Sequence, residues 1–190
     1  MPIDDLEARA KFWGELETHS YGGGSLPFPY KRFENLFLGK KVLEIGPGAG
    51  RQFHELFRVA ASYSVADISQ QVLDKEDYKK VPKHLITSYQ MEHVGEFDIV
   101  HFWYVVHHVK PSELDEFAQF VSKHVKPGGY VLFNTLNLEQ MWGSELLGDG
   151  KTTSPHSVDD VVKAFSKYFN ITEKEYKTLD CVVLVGVKEK

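Results

Sequence analysis

The chain has 190 residues, enough for about one domain at ~100–200 residues per domain. Hydrophobic residues make up 42% and charged residues 26%, a globular composition that excludes disordered, collagenous and coiled-coil chains. With 27 acidic against 22 basic residues the formal charge is −5, without the positive footprint that dominates nucleic-acid affinity. The single cysteine, Cys181, supports neither an internal disulfide nor a cysteine-rich metal site. The start, Met1-Pro2-Ile3-Asp4-Asp5, has no apolar signal core, and no apolar run nears the ~20 residues of a membrane span. A soluble cytoplasmic protein, monomer or homodimer, is expected.

In chain order, residues 3–18 predict an amphipathic helix with Ile3, Leu6, Ala10, Trp13 and Leu16 on one stripe. Gly22-Gly23-Gly24-Ser25 breaks it, and Pro27 and Pro29 keep the chain extended, so residues 1–38 read as an extension laid on a core. The core starts with the strand Lys41–Ile45, ended by Gly46-Pro47-Gly48-Ala49-Gly50. A helix through Phe53, Leu56 and Phe57 follows, then a strand Tyr63–Asp67 and a helix over 69–79. His84–Thr87 and Phe97–Tyr104 are the third and fourth strands. Pro111 opens a helix with capping-box spacing between Ser112 and Asp115, and Pro127-Gly128-Gly129 stops it. Tyr130–Asn134 is a fifth strand, and Ser157 caps a last helix. Stretches near 170–177 and 180–187 pair as a hairpin. The alternation predicts an α/β fold: a doubly wound, mostly parallel seven-stranded Rossmann-like sheet with helices on both faces and a C-terminal antiparallel hairpin. One domain over 1–190 is expected, with its core at 39–190.

In such sheets ligands lie at the carboxyl ends of the strands, near the switch point. Gly46, Gly48 and Gly50 stand in the turn after the first strand, where a missing Cβ allows close backbone approach. The dinucleotide fingerprint wants a small residue at the sixth position from Gly46, and Arg51 stands there. Glu44, two residues before Gly46, repels a pyrophosphate but suits a ligand carrying ammonium and sulfonium charges. Asp67, at the end of the second strand, is placed either to accept two ribose hydroxyls or to cap the segment starting at Ser69.

Four stretches, in order, resemble motifs of the class I S-adenosylmethionine-dependent methyltransferases. They are Val42–Arg51, Val65–Ser69, Phe97–Val100 running on to Val106-His107-His108-Val109, and Lys126-Pro127-Gly128-Gly129-Tyr130-Val131-Leu132. The resemblance runs from about Lys41 to the C-terminus and says little about substrate. It implies S-adenosylmethionine as cofactor and S-adenosylhomocysteine as product. It also implies that Glu44 and the backbone of Gly46 and Gly48 hold the methionine end, Asp67 the ribose, and Ile68 the adenine, with Pro47, Gly50 and Arg51 also in the cofactor set. The acidic residue often found after the third strand is missing, so Gln90 replaces it as acceptor, beside Met91. Phe102 and Trp103 complete the cofactor set, either as pocket walls or as core aromatics.

Methyl transfer needs alignment first, and a general base only for a protonated acceptor. His107 and His108 follow the fourth strand and are the best-placed bases, with structural histidines as the alternative. Their adjacency is poor spacing for a shared metal, and no metal is expected. Tyr21 and Tyr30 in the extension, and Trp142 in the loop after the fifth strand, are the candidate substrate contacts. The extension is either a lid or a plain cover of one sheet face. A small-molecule acceptor is favoured, with O, N or C as the methylated atom. The competing readings are an RNA or protein methyltransferase, a non-catalytic S-adenosylmethionine-binding module, and a nicotinamide oxidoreductase.

Overall fold

The computed structural model describes residues 6–17, 28–50, 52–136, 156–178 and 181–190. Seven strands form one sheet: β1 (Lys41–Ile45), β2 (Ser62–Asp67), β3 (Lys83–Leu85), β4 (Phe97–Phe102), β5 (Val125–Leu136), β6 (Phe169–Thr178) and β7 (Cys181–Lys188). Their order is β3-β2-β1-β4-β5-β7-β6. The first five are parallel, and β7 runs antiparallel to both β5 and β6. The chain winds outward through β2 and β3, then returns to place β4 on the other side of β1. That reversal opens a crevice at the carboxyl end of β1.

The helices are α1 (Leu6–Glu17), α2 (Tyr30–Phe37), α3 (Phe53–Val59), α4 (Gln70–Leu73), α5 (Leu114–His124) and α6 (Val158–Phe165). Alternating strand side chains divide the core in two. On one face Phe117, Val121 and Phe165 of α5 and α6 cover Leu43, Phe102 and Phe133. On the other, Phe33, Phe37, Phe53 and Leu56 of α2 and α3 cover Val42, Val65 and Ile99.

Several local expectations change. α2 was not expected: after Pro29, Phe33 and Phe37 lie four residues apart, one helical turn, and both are buried. The helix expected over 69–79 stops at Leu73. An extended Lys75 (φ −59°, ψ 148°) follows, and a 3₁₀ turn takes residues 76–80. This break carries Tyr78 to the glycine loop. The expected Ser112–Asp115 capping box gives way to a 3₁₀ turn over Pro111–Glu113, from which Glu113 reaches α1. Pro127-Gly128-Gly129 does not stop the helix, which ends at His124, but lies inside β5 beside a register shift with β4. Ser157 caps α6 as expected, its hydroxyl accepting the Asp160 N–H.

Candidate active site

The glycine loop leaves β1 in a left-handed bend, with φ of +66° at Gly46, +53° at Gly48 and +77° at Gly50. A Cβ on Gly46 would lie 2.6 Å from Val105 Cγ2, so this glycine is required both for the bend and for the approach of the turn after β4. Tyr78 fixes the loop from the other side, its hydroxyl within reach of the Pro47 and Gly48 carbonyls (3.2 and 3.1 Å). Lys75 Nζ also donates to the Gly48 carbonyl, at 3.0 Å. Neither residue was foreseen, because nothing local marks them.

Glu44, the next-to-last residue of β1, is buried. Tyr63 Oη donates to its Oε2 at 2.8 Å and lies 2.8 Å from His101 Nε2. Burial pushes the Glu44 carboxyl up to about 7; the Tyr63 hydrogen bond pulls it down and the Asp67 charge adds to the rise. Burial also drives His101 down to about 3, so its ring is neutral. With Glu44 ionised, Tyr63 donates to the carboxylate and His101 must donate from Nε2. Its buried Nδ1 then has no partner among the described residues.

Asp67 ends β2, nearly buried, and its Oδ1 accepts the Ser69 N–H at 2.8 Å. This bond turns the chain ahead of Ser69, which is itself the N-cap of α4, so Asp67 is not the helix cap. Ile68 and Met91 pack against the α5 side of the core. Gln90 departs from expectation: it is exposed, and its amide donates to Glu116 of α5 at 3.2 Å, turned outward. Phe102 departs too. It is fully buried against Phe117, Phe133 and Phe165, and shows a ligand no surface. Tyr30 lies by Glu34, Glu55 and Arg58 and packs on the side of the core covered by α2 and α3. Tyr21, Arg51 and Trp142 lie outside the described residues.

Of the expected α1 stripe, Leu6, Ala10 and Trp13 are half-buried, and Ile3 and the Leu16 side chain lie outside the described residues; among the described residues of the helix Arg9 and Gly14 are the buried ones. Arg9 Nη2 donates to both Glu113 oxygens (2.9 and 2.7 Å), and Nη1 to the His108 carbonyl at 3.3 Å. Both Glu113 oxygens accept from the one nitrogen, so the buried guanidinium faces a carboxylate, while its Nε has no partner among the described residues. At Gly14 a Cβ would fall 2.7 Å from Ser69 Oγ and 2.1 Å from Gln71 Oε1. α1 thus reaches from the β2 exit to the β4 exit, across the mouth of the crevice.

Aromatic rings continue that roof. Trp13 meets His108 (4.4 Å between centroids), His108 meets His107 (3.9 Å), and His107 meets Tyr104 (5.9 Å). Tyr104 meets Trp103 (6.0 Å), and Trp103 meets Phe28 (5.0 Å). His107 is buried, and burial, with His108 and His156 nearby, holds its pKa well below the usual value. Its ring is neutral at pH 7, and its Nδ1 has no partner among the described residues. Among the described residues no three potential ligands gather for a metal.

Two carboxylates at the ends of adjacent strands, with a glycine turn between, suit a ligand bearing positive charge and hydroxyls, not a pyrophosphate. Residues 27–168 match the family described as a methyltransferase domain. The chain belongs to that methyltransferase family. Two similar curated proteins are ubiquinone biosynthesis O-methyltransferases. The one from Pectobacterium carotovorum is 29% identical over 160 residues, covering 77% of this chain and 66% of the relative. The one from Thiobacillus denitrificans is 36% identical over 107 residues, covering 52% and 45%. This methyltransferase-family chain therefore spans no more than about two thirds of the length of these relatives. The fold is that of solved methyltransferases. The N-methyltransferase NodS from Bradyrhizobium japonicum, in complex with S-adenosylhomocysteine, has a TM-score of 0.70 at 15% identity, covering 98% of this chain and 100% of that one. The magnesium protoporphyrin IX methyltransferase ChlM from Synechocystis, with bound S-adenosylmethionine, has a TM-score of 0.68 at 15% identity, covering 98% of each. No helix among the described residues is long and apolar enough to cross a membrane.

Proposed function

We propose that this chain is an S-adenosylmethionine-dependent methyltransferase acting on a small-molecule acceptor. The observation that carries the reading is the convergence of the glycine turn, Asp67 and Glu44 at the ends of β1 and β2, under α1. S-adenosylmethionine, when bound, supplies a methyl group on a sulfonium, an excellent leaving group for in-line displacement. The Gly46–Gly50 backbone and Glu44 hold its amino-acid end, and Asp67 takes the ribose hydroxyls. Ile68 and Met91 face the adenine side. Gln90 and Phe102 drop out of the set on geometry.

The acceptor lies against the arc from Trp13 to Tyr104, where α1 excludes water. His107 is kept neutral by burial, so at pH 7 it could accept the proton that a hydroxyl or neutral amine acceptor loses as its new bond to the methyl carbon forms and the bond from that carbon to sulfur breaks. Its depressed basicity suits a proton that becomes acidic only during transfer. In this reading α1 is the lid, α2 joins residues 39–190 in the core, and the location is cytoplasmic.

The test is calorimetric titration with S-adenosylmethionine and S-adenosylhomocysteine, with NADH as control. Micromolar binding of the adenosyl compounds and none of NADH is expected. Binding of NADH, or of neither class, overturns the reading.

A further inference from the structure

Tyr104 is the one non-glycine residue with positive φ (60°) among the described residues. A residue with a Cβ disfavours that region, so its surroundings must hold the turn. Asn134 does so. It is fully buried in β5; its Oδ1 accepts the Tyr104 N–H at 2.6 Å, and its Nδ2 donates to Cys181 Sγ at 3.3 Å. A buried amide in an apolar strand is costly unless such bonds are made.

The turn held in this way carries two parts of the site. Val105, the next residue, is the side chain seated against Gly46. The Val105 carbonyl then accepts the His108 N–H at 2.9 Å, opening the 3₁₀ turn that presents His107 and His108. We propose that Asn134 is a positioning residue of the methyltransfer site. By holding Tyr104 in the left-handed conformation, it seats Val105 on the glycine loop and sets both histidines over the crevice. This rests on the methyltransfer reading, which it deepens.

The test measures S-adenosylhomocysteine affinity and amide hydrogen exchange on the full chain. Asn134→Leu is expected to weaken binding about tenfold and to speed exchange over residues 105–109. Adding Tyr104→Gly should restore affinity to within about threefold, because glycine adopts this φ without steric cost. Damage to the core is not repaired by glycine at a turn, so failure of the rescue overturns the proposal. Tyr104→Val leaves Asn134 and the core intact, and should also weaken binding about tenfold; wild-type affinity there overturns the proposal even if Asn134→Leu does not fold. Cys181→Ala removes the other partner and should leave affinity unchanged. An equal loss would show that Asn134 serves the sheet rather than the turn. If the wild type binds no S-adenosylhomocysteine, the methyltransfer reading fails, and the exchange pattern alone judges the positioning role.

Discussion

The two ends of the sheet are built on opposite principles. At the amino end Asp98, at the start of β4, accepts the Lys41 N–H of β1 (2.8 Å) and pairs with Lys126 of β5 (2.9 Å), tying three strands together. Burial raises its carboxyl, but the bonds from Lys126 and Lys41 outweigh that and hold it below the usual value. At the carboxyl end the chain keeps a strained Tyr104, a neutral buried His107 whose Nδ1 has no partner among the described residues, and a Glu44 pushed toward neutrality. One end spends its polar groups on connecting strands; the other leaves strain and incomplete pairing at the proposed cofactor site. Such features persist only when the surrounding packing over-determines them, which is why they mark a site.

The sharpest contrast lies in two glycines. Gly46→Ala forces a Cβ onto Val105 at φ +66°, and should cost S-adenosylhomocysteine affinity about 100-fold or more. Gly39→Ala, at φ +70° with nothing within 4 Å, should cost ~1 kcal/mol of stability and leave affinity unchanged. Equal effects in titration and thermal unfolding would erase the distinction between the two ends.

The aspartates give the next comparison. Asp67→Ala should weaken binding roughly 30-fold with the fold intact. Asp98→Asn should instead cost about 1 kcal/mol of stability with no change in affinity. The stabilising share of Asp98 is present at neutral pH and is lost as pH falls through its depressed pKa.

Glu44→Gln sharpens the link between strain and binding. The folded pKa of about 7 lies above the ordinary carboxyl value of 4.5, so the folded protein takes up a proton between them. Stability therefore falls as pH rises across that window and stays lower above it. The amide should raise stability at pH 8 by roughly 1–3 kcal/mol, give no gain near pH 4, and weaken binding about tenfold. Denaturant unfolding at the two pH values, paired with titration at pH 8, decides this. The smallest effect concerns a residue near the site with a purely local duty. Ser157→Ala removes the bond to the Asp160 N–H (3.0 Å) and should cost ~1 kcal/mol without touching affinity.

Much of this was legible in the sequence because it is local. The order of the strands along the chain, the glycine turn after Lys41–Ile45, and Asp67 at a strand end depend on neighbours a few positions away, and each stands where expected. α2 had a local signal in its buried Phe33 and Phe37, hidden behind two prolines. Asn134 had one too, as a polar residue interrupting an apolar strand. The rest depended on register. Glu44 meets Tyr63 because β1 pairs with β2 in one alignment, and His101 joins them through β4. Arg9 finds Glu113, 104 residues away, and Gln90 turns to Glu116 rather than to the crevice. The sequence by itself determined the order of elements and the chemistry of the loop, since turn and period follow from adjacent residues. Tertiary structure alone decided which polar groups were buried, paired or strained, because those partners meet only when the sheet is assembled.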